Sequence, residues 1–341
     1  MSADISLSCD GLSVGPSPHV HDQSLSTQAV MLYVLIALSP VITAAIWFFG
    51  AMAVSQLLLI TATCMLCERL FTWMRGQPCP LSDGSAAVTG IILALSLPAT
   101  TPVPVAIVAS LTAIGLGKAV FGGLGMNLFN PAMVGRAFVT ISFAAALGGT
   151  GYVDPQGVEI ITQATPLSMS GAQLESYPSL LHLFVGEHNG SLGEVSVLAA
   201  LVGGLFLCLK GVAAWEIPVT LLAAMALLTV IGQLLGAAID PDMTVLALHL
   251  RIDQALCSGA LVFGAFFIAT DPVTSPISRR GRVVFALGLA LLIWIIRTFS
   301  NYPEGFMFAI LLMNSVVPLI NRYTIPLPVG AQPQTKKEAA S

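Results

Sequence analysis

The stretch "SAAVTGIILALSLPATTPVP", residues 85–104, is an apolar run that stops too soon. Up to Pro98 it gives about 21 Å of helix, short of the ~30 Å of a bilayer's hydrocarbon core. A second run, "LCSGALVFGAFFIATDPVTSPI" at 256–277, breaks off in the same way. Each ends in a turn with two prolines four residues apart, Pro98 and Pro102 in one, Pro272 and Pro276 in the other. Proline has no N–H to give a helix, so both runs stop where the prolines begin.

The rest of the chain explains why a short helix matters here. Of 341 residues, 56% are hydrophobic and 9% charged, and the mean hydropathy is +0.88. Soluble domains carry about 25% charged residues, so this composition excludes a water-covered globule and predicts an integral membrane protein. Apolar runs fall at 29–49, 51–67, 85–98, 103–118, 131–148, 192–210, 217–237, 256–270, 283–299 and 304–320, ten in all. With the N-terminus inside, Arg69, Arg75, Lys118, Arg136, Lys210, Arg279, Arg280, Arg282, Arg322, Lys336 and Lys337 fall in inner loops or the tail. Only Arg251 and Arg297 are left outside, so eleven of the thirteen basic residues share one face. That is the bias of the positive-inside rule.

The two short runs are the third and the eighth of the ten. Five spans per half is an odd number, so the halves must lie in opposite orientations. The fold class expected is therefore all-α, with ten transmembrane helices in two inverted five-helix repeats. Short, Pro-broken segments at matching places of such repeats point to a central site; two tilted helices with nothing between them are the plainer alternative. The expected organisation is a polar leader at 1–28, a first half at 29–148, an external loop at 149–191, a second half at 192–322 and a tail at 323–341. Both termini then face the cytoplasm.

Ionisable residues near membrane depth are the first candidates for an ion path. Asp83 opens the third run and Asp271 follows the eighth. Either could take a cation, and either could equally be a helix cap or turn starter. Glu304 opens the tenth run beside Arg297, which ends the ninth, so an ion pair at the outer boundary is a further expectation. The segment "GKAVFGGLGMNLFNPAMVGRAF", 117–138, holds five glycines, able to cradle a phosphate or ring or to let helices approach closely. Cys64 and Cys67 form a C-x-x-C inside an apolar run and read as ordinary helix residues. The five histidines have no metal-ligand spacing. No Ser-His-Asp arrangement, dinucleotide fingerprint or basic nucleic-acid patch is present, so no catalytic residue, metal or nucleic acid is expected.

Several long motifs occur in order: "FGGLGMNLFNPAMVGRAF" (121–138), "FFIATDPVTSP" (266–276) and "NYPEGFMFAILLMNSVVPLINR" (301–322). In these the chain resembles the D subunits of Rnf ion-translocating oxidoreductases, homologous to the B subunit of sodium-translocating NADH:quinone oxidoreductase. The resemblance runs from "SPHVHD" near the start to "RYTIPLP" near the end. It implies a flavoprotein subunit of the bacterial inner membrane, coupling electron transfer between ferredoxin and NAD to Na⁺ or H⁺ movement. It implies FMN joined through its phosphate to a threonine of an external loop, in a pattern like Asp-x-x-[Ser/Thr]-Gly-Ala-Thr. Here "EIITQAT" (159–165) stands in that place, with Thr165 as the attachment residue, Glu159 for the acid and Gln163 where glycine is usual. Pro166 favours an extended Thr165. A noncovalent riboflavin within the bundle is implied too. The implied partners are the other Rnf subunits, including an FMN-bearing G-type subunit, and a flavin transferase during maturation. The B-type quinone-reductase subunit, for which a longer N-terminal extension is expected, is the alternative. From topology alone a urea- or ammonium-type channel, or a membrane anchor for redox subunits, fits as well.

Overall fold

The structure is a computed structural model that describes residues 12–14, 20–22, 26–77, 80–147, 180–186, 190–239, 252–300 and 304–325. Apart from a three-residue antiparallel ribbon, β1 (Leu12–Val14) on β2 (Val20–Asp22), these residues form helices and their connections. In chain order the helices are α1 (Thr27–Phe49), α2 (Ala51–Met74), α3 (Ser85–Ser96), α4 (Val103–Ile114), α5 (Pro131–Ser142) and α6 (Ala144–Leu147). Then come α7 (Leu180–Val185), α8 (Val197–Leu209), α9 (Glu216–Ile239), α10 (Ile252–Cys257), α11 (Leu261–Phe263), α12 (Arg279–Phe299) and α13 (Phe306–Thr324). Both α4 and α11 run on into a π-helical turn, Gly115–Ala119 and Gly264–Ile268.

Among the described residues α1, α2, α12 and α13 are long and apolar enough to cross a membrane. Shorter apolar helices lie at Ser85–Ser96, Val103–Ala119, Val197–Leu209 and Glu216–Gly232. Large apolar side chains such as Trp47, Leu58, Leu205 and Phe299 stand more than half exposed on the outside. A soluble protein rarely shows such a surface. A multi-pass membrane protein needs it, because lipid is the solvent.

Local chemistry marks the helix boundaries. Ser26, Asn130, Ser196 and Ser278 cap α1, α5, α8 and α12, each accepting from a backbone N–H three residues on. Pro131 sits at the first position of α5, where a missing N–H costs nothing. Gly50 alone separates α1 from α2 and takes a positive φ of 57° to reverse the chain. The second predicted run extends further than its apolar stretch, to Met74. Its Glu68 is carried into the helix because a cation meets it there.

Small residues set the helix spacing. A Cβ on Gly135 of α5 would lie 2.5 Å from the carbonyl of Ala109 in α4, and one on Gly203 of α8 would lie 2.0 Å from that of Ala37 in α1. Backbones approach closely there, the usual basis of helix association in lipid. In the first part of the chain α2 packs on α3 and α4, and α4 on α5. In the second part α9 packs on α10 and α12, and α12 on α13. Contacts of α1 with α8 and of α5 with α13 join the two. Glu216 at the start of α9 faces Arg279 and Arg282 at the start of α12, at 3.4 and 3.6 Å.

Two cations counted above as loop residues are not loop residues. Lys118 lies in the π turn after α4 and Arg136 in α5, both with buried side chains. An apolar run gives no sign that an internal charge has a buried partner, and each of these has one.

Candidate functional site

The break after α11 builds one wall of a cleft. Asp271 opens the turn there; its Oδ1 accepts from the Val273 N–H at 3.1 Å and its Oδ2 from the Thr274 hydroxyl at 3.2 Å. This is an Asx turn, one of the two roles open to it from sequence. The Asn130 amide, at the start of α5, also reaches Oδ2, at 3.5 Å, so Asp271 touches the opposite half of the chain as well. The cleft beside it is narrow, with about 70 Å³ of free volume. Val34, Ile92, Leu207 and Phe266 form its apolar sides; Ser85, Lys118, Asn127, Asn130 and Thr270 supply polar groups. Asn127 is buried, and its side-chain oxygen has no hydrogen-bond partner.

Asp83 is reached through a chain of contacts. Its Oδ1 accepts from the Ser85 N–H at 2.7 Å and the Ser85 hydroxyl at 2.5 Å, which secures the first turn of α3. The Lys118 ammonium donates to the same hydroxyl at 2.5 Å and pairs with Glu68 of α2. A second, more open cavity of about 590 Å³ includes Asp83, Glu68, Arg75 and the glycine turn Gly122–Gly123. Lys118 and Leu124 border both cavities and form the partition between them. The glycines of 117–138 thus split by role. Gly117 and Gly135 let elements touch, whereas Gly122, Gly123 and Gly125 adopt positive φ in the turn leading to Asn127.

Glu304 lies away from this cleft. It pairs with Arg136, and its other oxygen accepts from the Ala260 N–H at 3.1 Å, just ahead of α11. Arg136 also holds Glu194, at 3.3 Å. The expected outer pair with Arg297 gives way to this arrangement: the Arg297 guanidinium donates to the carbonyls of Ala255 and Ser258. Glu194 belongs to the segment 190–196, whose backbone binds the end of α3 through Leu192 to Leu97 (3.3 Å) and Gly193 to Leu95 (2.6 Å). The structure therefore brings Asp83 and Asp271 to the two cavities, and Glu304 to a separate buried cluster. Thr165, with Glu159 and Gln163, lies outside the described residues.

Glu68, Lys118, Arg136, Glu194 and Asn127 were not marked as site residues from sequence. The signal available was a charge inside an apolar stretch, as in "CERL" and "MVGRAF", which is costly in lipid without a partner. Cys64 and Cys67 are free and buried in α2, and no described group of three His, Cys, Asp or Glu could hold a metal.

Residues 13–330 match the model of the NQR2, RnfD, RnfE family. The chain belongs to that family. It is 37% identical to the D subunit of the Na⁺-translocating ferredoxin:NAD⁺ oxidoreductase complex of Acetobacterium woodii, over 96% of this chain and 98% of that one. It is 35% identical to the D subunit of the proton-translocating ferredoxin:NAD⁺ oxidoreductase complex of Clostridium ljungdahlii, over 94% and 96%. The D subunit of the ion-translocating oxidoreductase complex of Stutzerimonas stutzeri is 36% identical, over 93% and 96%. One of these relatives is named for sodium and another for protons, so membership of the NQR2, RnfD, RnfE family does not select the ion.

Proposed function

We propose that this chain is the membrane-embedded, flavin-bearing subunit of an ion-translocating ferredoxin:NAD⁺ oxidoreductase complex. The observation that carries the reading is near full-length similarity to D subunits of such complexes. The same names favour a D-type subunit over a quinone-reductase one. Electrons would reach it from an FMN-bearing G-type partner and pass on to the other membrane subunits.

The ten-span, two-half architecture belongs to this proposal, with the boundaries 1–28, 29–148, 149–191, 192–322 and 323–341. Its support is the recurring packing order, second element on third and fourth and fourth on fifth, in each half. Inverted halves in a bacterial inner membrane would put both termini in the cytoplasm and residues 149–191 in the periplasm. The ion-path candidates remain Asp271, Asp83 and Glu304.

Thr165 is the proposed site of FMN attachment through a phosphoester, made by a flavin transferase. A noncovalent riboflavin is assigned to the cleft beside Asp271. The lining there suits such a group in kind, being apolar with a few placed polar groups; with about 70 Å³ free, its side chains must move apart to admit a ring. The free oxygen of Asn127 and the nearby Asn130 amide suit the polar edge of a flavin ring, and Val34, Leu207 and Phe266 suit its apolar edge. A flavin held there supplies one- and two-electron chemistry. The chain's own work is to orient the ring, keep water from it with apolar side chains, and place the Lys118 ammonium at the cleft wall.

The test is flavin fluorescence of the chain in a denaturing gel, wild type beside Thr165→Ala, made with a flavin transferase. A band that survives denaturation and is lost in the variant supports the assignment. A dark wild-type band, next to a fluorescent control protein from the same cells, overturns it and brings forward the channel or anchor.

A further inference from the structure

Glu194 and Glu304 meet on one nitrogen of Arg136, and none of the three side chains is more than 15% exposed. Two carboxylates on one guanidinium carry a surplus negative charge. The arginine cannot give up its proton to adjust the sum. Carboxylates crowded together away from water resist double ionisation, and holding a proton between them is the ordinary resolution.

The surroundings point to the same ligand. Of the four carboxylate oxygens, Glu194 Oε1 and Glu304 Oε2 are on Arg136, and Glu304 Oε1 accepts from Ala260 N–H, so three are engaged. Among the described carboxylates that leaves one oxygen free, whereas a hard metal cation needs a shell of them. A proton needs only one. Ser191 stands beside the Glu194 carboxylate, fully buried, and its hydroxyl faces that carboxylate and no other described side chain. It is a hydroxyl, able to donate or accept, aimed at Glu194.

Position gives the cluster its interest. Glu194 sits on the segment bound to the last residues of α3, and Glu304 holds the backbone that begins α11. A Cβ on Gly193 would come within 3.1 Å of the Leu95 carbonyl, so this segment is pressed against the end of α3. The cluster thus joins the ends of both short apolar helices.

We propose that Glu194 and Glu304 share one exchangeable proton, making a proton-holding site where the two broken helices meet. The proton arrives as H⁺, forms an O–H bond with one carboxylate, hydrogen-bonds to the other, and leaves as H⁺; no electron moves. Among the described residues the groups facing Glu194 are Glu304, Arg136 and the Ser191 hydroxyl. This deepens the ion-path reading of Glu304 and names its partners.

The experiment is infrared spectroscopy of the intact complex in membranes at neutral pH, in H₂O and D₂O. A protonated-carboxyl stretch that shifts in D₂O is expected, and Glu194→Gln and Glu304→Gln should each abolish that same band. Loss through either single change is the mark of a shared proton. Uniform ¹³C-glutamate labelling of the wild type reads the band without any variant, should a variant fail to assemble. No label-sensitive carboxyl band would mean both groups are ionised and Arg136 is only a clamp, which overturns the proposal. So would a band that survives both substitutions, or one erased by sodium chloride at constant pH. None of these readouts involves flavin, so failure here leaves the Thr165 test standing, and the reverse.

Discussion

Lys118 closes on Glu68 between two helices, the residues 50 apart in sequence and neither side chain more than 4% exposed. Removing one partner of such a pair strands the other charge in an apolar interior. Lys118→Met is therefore expected to destabilise the chain by about 3–5 kcal/mol, and Lys118→Met with Glu68→Leu by much less. Thermal unfolding of the purified complex compares them. Equal losses in the single and double variants would mean that the pair is not what holds α2 to the end of α4.

Two glycines separate close packing from mere proximity. At Gly135 a new Cβ meets the Ala109 carbonyl at 2.5 Å and Ala113 Cβ at 2.8 Å, both fixed by helix α4. At Gly288 it meets only the flexible end of Met313, at 2.8 and 2.9 Å. Gly135→Ala should cost about 1–3 kcal/mol, the usual range for overpacking, while Gly288→Ala should be close to neutral. The unfolding midpoints of the two variants decide this, and a tolerated Gly135→Ala would contradict the close contact of α4 with α5.

The sequence carried the helices better than the charges, for a physical reason. Apolar runs and their breaks are local, so α3 ends at the proline turn and α1, α12 and α13 fall close to their predicted runs. Arg136, Glu194 and Glu304 meet across separations of 58 and 168 residues, and no local pattern records such a meeting. Arg136 passed for a loop cation and Glu194 for the edge of an external run. Asp83 and Asp271 were legible as turn and cap residues because that chemistry is local. The contact of Asp271 with Asn130, from the other half of the chain, was not.

The cleft beside Asp271 makes the next prediction. Ala213 lines it and is 5% exposed. Ala213→Trp should fill the space and abolish the flavin extracted from the complex by acid, while the covalent fluorescence of the chain in a gel stays unchanged. Extraction and gel are run on one preparation. Undiminished extractable flavin in the variant would overturn the assignment of a noncovalent flavin to this cleft.

Gln163 offers the sharpest variant of the proposed attachment loop. The resemblance puts glycine at this position, two residues before the threonine, where a Cβ and a long side chain can hinder an enzyme that must grip extended backbone. If that is the obstacle, Gln163→Gly raises the fluorescence per chain in a denaturing gel, and Thr165→Ser, which keeps a hydroxyl, retains a signal that Thr165→Ala loses. Densitometry against total protein measures the fraction modified. A lower signal in Gln163→Gly would mean that the glutamine contributes to recognition by the transferase.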